Sequence, residues 1–171
     1  DGIAIAKAVK AETILDAKYG DVRHVAEQWA EQTIRLGVDA VTVNPYDGWD
    51  SVEPFLERGL RVYVLGRGLQ YVHNPHLWPW SNNLRVVVPA PDRRNPLNLD
   101  LLHEILDMNN AIHLLVPGIG AQEGDLQEVL ASTDSTGVTL AASRSVAESA
   151  EPHTALANLR MQVELLVGDT N

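Results

Sequence analysis

The sequence has no cysteine among its 171 residues. That absence excludes a disulfide framework, a thiolate zinc site and a cysteine nucleophile. Positive charge is scarce: 13 Lys plus Arg stand against 23 Asp plus Glu, a formal net charge of -10. A surface that grips nucleic acid or an anionic membrane needs clustered base, so neither partner is expected. No apolar run approaches the roughly 18 residues of a membrane span. There is no signal-like N-terminus and no Asn-x-Ser/Thr acceptor. A soluble, cytoplasmic, globular protein is the expectation. The first residue is Asp1 rather than methionine, as expected of a processed, trimmed or incomplete chain.

What is present is a chain 45% hydrophobic, long enough to bury the core of a single domain over residues 1–171. Short β-branched runs recur at Thr13–Lys18, Asp39–Asn44, Arg61–Gly66, Leu84–Pro89, Ile112–Pro117 and Gly137–Ala142. Their starts lie about 22 to 28 residues apart, the length of one strand, one helix and two loops. Helical patterns fill the intervals. Val22–Leu36 carries Val25, Trp29, Thr33 and Leu36 on one stripe, with Gly37 as the expected stop. Asp50–Arg58, Leu97–Met108, Asp125–Ser132 and His153–Val167 read similarly, with Asp50 and Ser51 as an expected N-terminal cap before Glu53. Alternating strands and helices imply βα units around a parallel sheet, and strands apolar on both faces fit a sheet covered on both sides. An open doubly wound sheet and a (β/α)8 barrel both satisfy this pattern. A complete barrel needs about 250 residues and eight strands, and six strands are visible here.

The end of the first strand reads T-I-L-D-A-K-Y-G-D over residues 13–21. Residues two apart on a strand face one side, so Asp16 and Lys18 are expected to project together. Gly20 breaks the strand and puts Asp21 in the loop at its C-terminal end, where parallel α/β folds bind ligands. Two carboxylates thus flank one ammonium. The ordinary alternative is a structural ion pair. A buried charge cluster costs several kcal/mol of desolvation, which disfavours an idle one. Flanking carboxylates keep Lys18 protonated, a cation and acid rather than a Schiff-base nucleophile.

A second candidate is Val116–Gly124 (VPGIGAQEG). Gly118, Gly120 and Gly124 allow backbone N–H groups to approach an anion ahead of a helix N-terminus. Ser143-Arg144 follows the next strand, and arginine offers a planar donor fork suited to phosphate. Other features read as structure: Asn44-Pro45-Tyr46 as a strand-ending turn, Trp49, Trp78 and Trp80 as packing or interface residues. His73 and His76 make a weak metal pair, with Pro75 between them and no third ligand nearby.

Asp16-x-Lys18-x-x-Asp21 resembles the signature of the orotidine 5'-phosphate decarboxylases and their suprafamily. Ile14–Asp21 (ILDAKYGD), Asp39–Tyr46 (DAVTVNPY) with Asp50–Leu56 (DSVEPFL), Leu114–Asp125 (LLVPGIGAQEGD) and Ala142-Ser143-Arg144 resemble successive blocks of the bacterial enzymes in order and spacing. The resemblance implies a (β/α)8 barrel of the TIM type, the visible strands matching the third to the eighth. It implies a lyase of pyrimidine biosynthesis that converts orotidine 5'-monophosphate to uridine 5'-monophosphate and carbon dioxide, with no metal and no organic cofactor. Lys18 is then the proton donor, Asp16 its neighbour at the departing carboxylate, and Asp21 a residue reaching across a homodimer interface. Gln122, Ser143 and Arg144, with Gly118 and Gly120, are implied to hold the phosphate. The chain departs from the family where Val25 replaces a hydroxyl residue and Gly66–Tyr71 (GRGLQY) replaces a Ser/Thr-rich loop. The first two family strands, with their aspartate and lysine, are not visible; Asp1–Glu12 reads as a helix. Two alternatives stay open: a non-catalytic relative acting as subunit or scaffold, and a phosphosugar decarboxylase of the same suprafamily.

Overall fold

The computed structural model describes residues 2–71, 82–91, 97–108, 111–119, 126–133 and 137–168. Six strands form one sheet in sequence order: β1 (Ile14–Tyr19), β2 (Ala40–Val43), β3 (Arg61–Leu65), β4 (Leu84–Val87), β5 (His113–Pro117) and β6 (Val138–Ala141). Five of the six lie within an expected β-branched run, and β1 extends one residue past Thr13–Lys18, to Tyr19. β1–β2, β2–β3 and β5–β6 pair in parallel. A doubly wound sheet reverses its strand order partway, whereas consecutive order is what a barrel requires, so the choice left open by periodicity falls to the barrel type. The chain resolves into two compact units, Asp1–Val86 and Val87–Asn171.

In the first unit, α1 (Gly2–Ala8) confirms the helical reading ahead of β1. It places Lys7 on a helix and not on a strand. All four residues of β2 are buried, and Val41, Val43, Val62, Val64, Phe55 and Leu56 pack at 0–1% exposure. α2 (Arg23–Leu36) buries Ala26, Ala30 and Thr33, while Leu36 is exposed. The expected stripe is therefore met in part: Thr33 is buried and Trp29 turns inward onto Tyr19, the small residues Ala26 and Ala30 are buried beside them, and Leu36 in the last turn is exposed. Gly37 does end the helix, at φ 71° with its N–H on the Ile34 carbonyl, a left-handed position that glycine occupies without steric cost. Trp29 stacks on Tyr19 at 4.7 Å between ring centroids, and Tyr19 stacks on Phe55 at 5.9 Å.

The expected helix over Asp50–Arg58 is shorter. Two 3-10 turns, Pro45–Asp47 and Trp49–Ser51, precede α3 (Glu53–Glu57). Ser51 does not cap it. Its hydroxyl donates to the Gly48 carbonyl at 2.8 Å, and Val52 stands at the cap position without a side-chain bond. Arg23 ties α2 to α3 through Glu53 at 2.5 Å and Glu57 at 2.9 Å. A further 3-10 segment, Gly66–Tyr71, follows β3.

In the second unit, α4 (Leu97–Met108) supplies Leu102 and Ile105, and α5 (Leu126–Ser132) supplies Val129 and Leu130, to a core with Leu114 and Val116 of β5. Asn98, 2% exposed, donates to the Ala90 carbonyl at 3.0 Å and so satisfies a buried loop. After β6 come α6 (Arg144–Ala147) and α7 (Pro152–Gly168). β6 is half-exposed along its whole length. Among the described residues no helix is long and apolar enough to cross a membrane.

Candidate active site

The C-terminal end of β1 departs from a regular strand. Leu15 pairs with Val41 and Tyr19 with Val43, so four steps on β1 run opposite two on β2. This is a bulge, which bends a strand and re-aims its side chains. At its centre Lys18 adopts φ 51°, a left-handed conformation costing a side-chain-bearing residue about 1–2 kcal/mol. The Lys18 N–H leaves the ladder and donates instead to the Thr42 hydroxyl at 2.9 Å. That hydroxyl donates onward to Asp16 Oδ1 at 2.9 Å, and Lys18 Nζ donates to Asp16 Oδ2 at 2.5 Å. The alternation of β1 anticipated the contact between Asp16 and Lys18; the bulge produces it.

Both charged side chains are open to water, Lys18 at 53% and Asp16 at 64% exposure. The desolvation argument drawn from a buried cluster therefore does not apply. What burial Asp16 does have would raise its carboxyl. The hydrogen bonds from Lys18 and Thr42 and the charge of Lys18 outweigh it, holding the group below the usual carboxylate range. Asp21 does not flank the ammonium as expected. It sits in the loop beyond β1, and its Oδ1 accepts the Val22 N–H at 2.8 Å. The structure thus brings Asp16 and Lys18 together and turns Asp21 to its own backbone.

Glycine shapes the same rim. A Cβ on Gly20 would lie 2.8 Å from the Asn44 carbonyl oxygen, and one on Gly68 would lie 2.6 Å from Pro45 Cγ. The Asn44–Pro45 turn fits against both, as the strand-ending turn expected from sequence; Asn44 Oδ1 accepts the Tyr46 N–H at 3.2 Å. Thr42 is the residue the sequence reading missed. Its signal was there: a lone hydroxyl in the otherwise apolar AVTV strand.

In the second unit Gly118, just past β5, has φ 99°, a conformation that glycine adopts without steric cost. Gly120 and Gln122 lie outside the described residues, as do His73, His76, Trp78 and Trp80. Ser143 is the N-cap residue of α6, without a side-chain capping bond, and Arg144 is exposed on its first turn. Serine and arginine are thus adjacent and open to solvent at the end of β6. A cleft of about 350 Å³ lined by Lys7, Lys10, Glu12, Asp39 and Arg61 lies elsewhere, at the N-terminal ends of the first three strands. In this fold class that end serves stability rather than chemistry.

Consecutive parallel strands with charged groups at a C-terminal strand end define a (β/α)8 barrel-type protein, of which six strands are present. Comparison with known proteins agrees. The sequence profile of the orotidine 5'-phosphate decarboxylase / HUMPS family matches residues 1–72. The orotidine 5'-phosphate decarboxylase of Haloarcula marismortui is 37% identical over 162 residues, covering 81% of this chain and 56% of that protein. The structure of Leishmania donovani OMP decarboxylase superposes with a TM-score of 0.73 at 27% identity, over 91% of this chain and 68% of that one. The orotidine 5'-monophosphate decarboxylase of Methanocaldococcus jannaschii, complexed with the inhibitor BMP, shares the fold at a TM-score of 0.72 and 20% identity, over 94% and 77%. The chain belongs to the orotidine 5'-phosphate decarboxylase family. It spans 56% of the length of curated relatives it matches.

Proposed function

We propose that the protein is an orotidine 5'-phosphate decarboxylase-like lyase that converts orotidine 5'-monophosphate to uridine 5'-monophosphate and carbon dioxide. The observation that carries this reading is the Lys18 ammonium held on Asp16 at the C-terminal end of β1, in a chain whose relatives carry that activity in their names. In the proposed step the bond between C6 of the pyrimidine and the carboxylate breaks, carbon dioxide leaves, and the electron pair stays on C6. Lys18 Nζ stabilises that developing charge and then gives its proton to C6. A cation fixed in advance where charge develops is the largest single source of rate enhancement in many enzymes. Asp16 orients the ammonium and sits beside the departing carboxylate.

The remaining assignments follow the resemblance residue by residue. Gly118, Gly120, Gln122, Ser143 and Arg144 take the phosphate role. Asp21, with its side chain on its own loop backbone, takes the role of serving a neighbouring subunit in a homodimer. A cytoplasmic location, and a reaction needing neither metal nor organic cofactor, belong to the same reading.

The test is incubation of the purified chain with orotidine 5'-monophosphate, with uridine 5'-monophosphate measured by chromatography. Calorimetric titration with 6-azauridine 5'-monophosphate accompanies it. Turnover, together with binding that disappears in Arg144→Ala, is the expected result; the absence of both turnover and binding overturns the proposal.

A further inference from the structure

We propose that Thr42 is a positioning residue, which holds the Lys18 ammonium in working geometry by bonding both the strained Lys18 backbone and the Asp16 carboxylate. This rests on the decarboxylase-like reading for its catalytic consequence, though not for its geometry. Thr42 belongs to β2, which pairs in unbroken register with β3, Thr42 opposite Tyr63. It is 2% exposed. Its backbone is thus fixed on the β3 side, and its χ1 is restricted by β-branching. The hydroxyl is a rigid reference point beneath a part of β1 that has lost its own ladder bonds.

The hydrogen-bond arithmetic closes. A hydroxyl carries one proton and two acceptor sites. Thr42 accepts the Lys18 N–H and donates its proton to Asp16 Oδ1, leaving Oδ2 for Lys18 Nζ. The Lys18 amide, displaced by the bulge, loses this partner when the hydroxyl is removed. Losing the hydroxyl therefore acts twice, freeing the backbone at φ 51° and letting the carboxylate swing. The other residues of β2 are Ala40, Val41 and Val43, whose side chains offer no hydrogen bond, and the Tyr63 hydroxyl opposite on β3 accepts from Arg85 at 2.7 Å. Lys18 is the charged group bonded to Asp16, and Arg23 of α2 is held by Glu53, Glu57 and Glu27. A displacement of about 1 Å in a catalytic group can cost on the order of a hundredfold in rate.

The experiment compares wild type, Thr42→Val, Thr42→Ala and Thr42→Ser in two readouts. The first is the titration of the Asp16 carboxyl by carbon NMR, which needs no activity. Removal of a donor from a carboxylate should move its titration to higher pH, in Thr42→Val and Thr42→Ala alike, and Thr42→Ser should restore it. The second is turnover: kcat about ten- to a hundredfold lower with KM little changed, again restored by serine. If one of the two hydroxyl-free variants fails to fold, the other is read in its place; if neither folds while serine does, Thr42 is a structural residue and the proposal is overturned. An Asp16 titration unmoved by loss of the hydroxyl overturns it as well. A wild-type chain without turnover overturns the decarboxylase reading alone, because the titration still decides whether Thr42 positions the pair.

Discussion

The two ends of the β1–β2 pair are each fastened by an aspartate and a threonine, and they use them differently. At the N-terminal end Asp39 Oδ2 accepts both the Thr13 N–H and the Thr13 hydroxyl at 2.8 Å, while the Asp39 N–H returns to Thr13 Oγ1 at 3.1 Å. The Thr13 carbonyl accepts from Asp39 and Ala40. Beside this clasp Arg61 at the start of β3 pairs with Glu12. Every one of these bonds joins one strand start to another. At the C-terminal end the roles are exchanged: Thr42 is on β2 and buried, Asp16 is on β1, and the hydroxyl serves a strained backbone and one carboxylate oxygen. The other oxygen holds an exposed ammonium. One end uses its polar groups to join strands. The other accepts an irregular strand to present a charge, the kind of local strain that collects at functional sites.

The largest expected effect that tests this contrast comes from Lys18→Gly. Glycine is at ease at φ 51°, so stability should rise by roughly 0.5–1 kcal/mol, while turnover falls by about a thousandfold or more because the transition-state cation is gone. Denaturant melts beside an activity assay check both halves. A variant that is less stable than wild type would break the claim that this backbone is strained.

Gly20→Ala should come next. Its Cβ would meet the Asn44 carbonyl at 2.8 Å, a backbone atom with little freedom to retreat, and overpacking of that kind costs about 1–3 kcal/mol. The melting temperature should drop. Turnover should drop with it, since the displaced loop follows β1 directly.

The smallest effect is expected at the opposite end. The backbone bond from Thr13, then its hydroxyl, hold the Asp39 carboxyl below the usual range. A folded value below the unfolded one means the carboxylate's stabilisation is present above about pH 4 and lost as pH falls through the folded value. Asp39→Asn should therefore melt slightly below wild type at neutral pH, with the difference vanishing in acid and turnover unchanged. A loss of turnover as large as that of a Lys18 variant would erase the distinction between the two ends.

Much of this was legible from the chain alone. The β-branched runs located all six strands; β2 and the middle of β3 bury both faces, which leaves little room there for any other residue type. Gly37 announced a helix end because a left-handed residue at that position favours glycine. The stripe on α2 was legible at Trp29 and Thr33 and misread at its end, where large Leu36 is exposed while the small Ala26 and Ala30 are buried. The cap before Glu53 failed for a related reason. Ser51 lies one residue too early, inside a 3-10 turn that the helical pattern did not foresee, and Val52 takes the cap position.

At the site, the Asp16-x-Lys18-x-x-Asp21 spacing was enough to mark the charged residues, since it depends only on their order along one strand. The sequence by itself thus determined the succession of βα units, the family and the identity of the ionic pair. The tertiary structure alone decided that Lys18 leaves the regular strand, that Asp21 turns to its own backbone, and that Thr42 supports the pair from below. The reason is physical: a bulge and a cross-strand hydroxyl arise from the register between β1 and β2, and register is a relation between segments 26 residues apart, from Asp16 to Thr42, which no local pattern within either segment encodes.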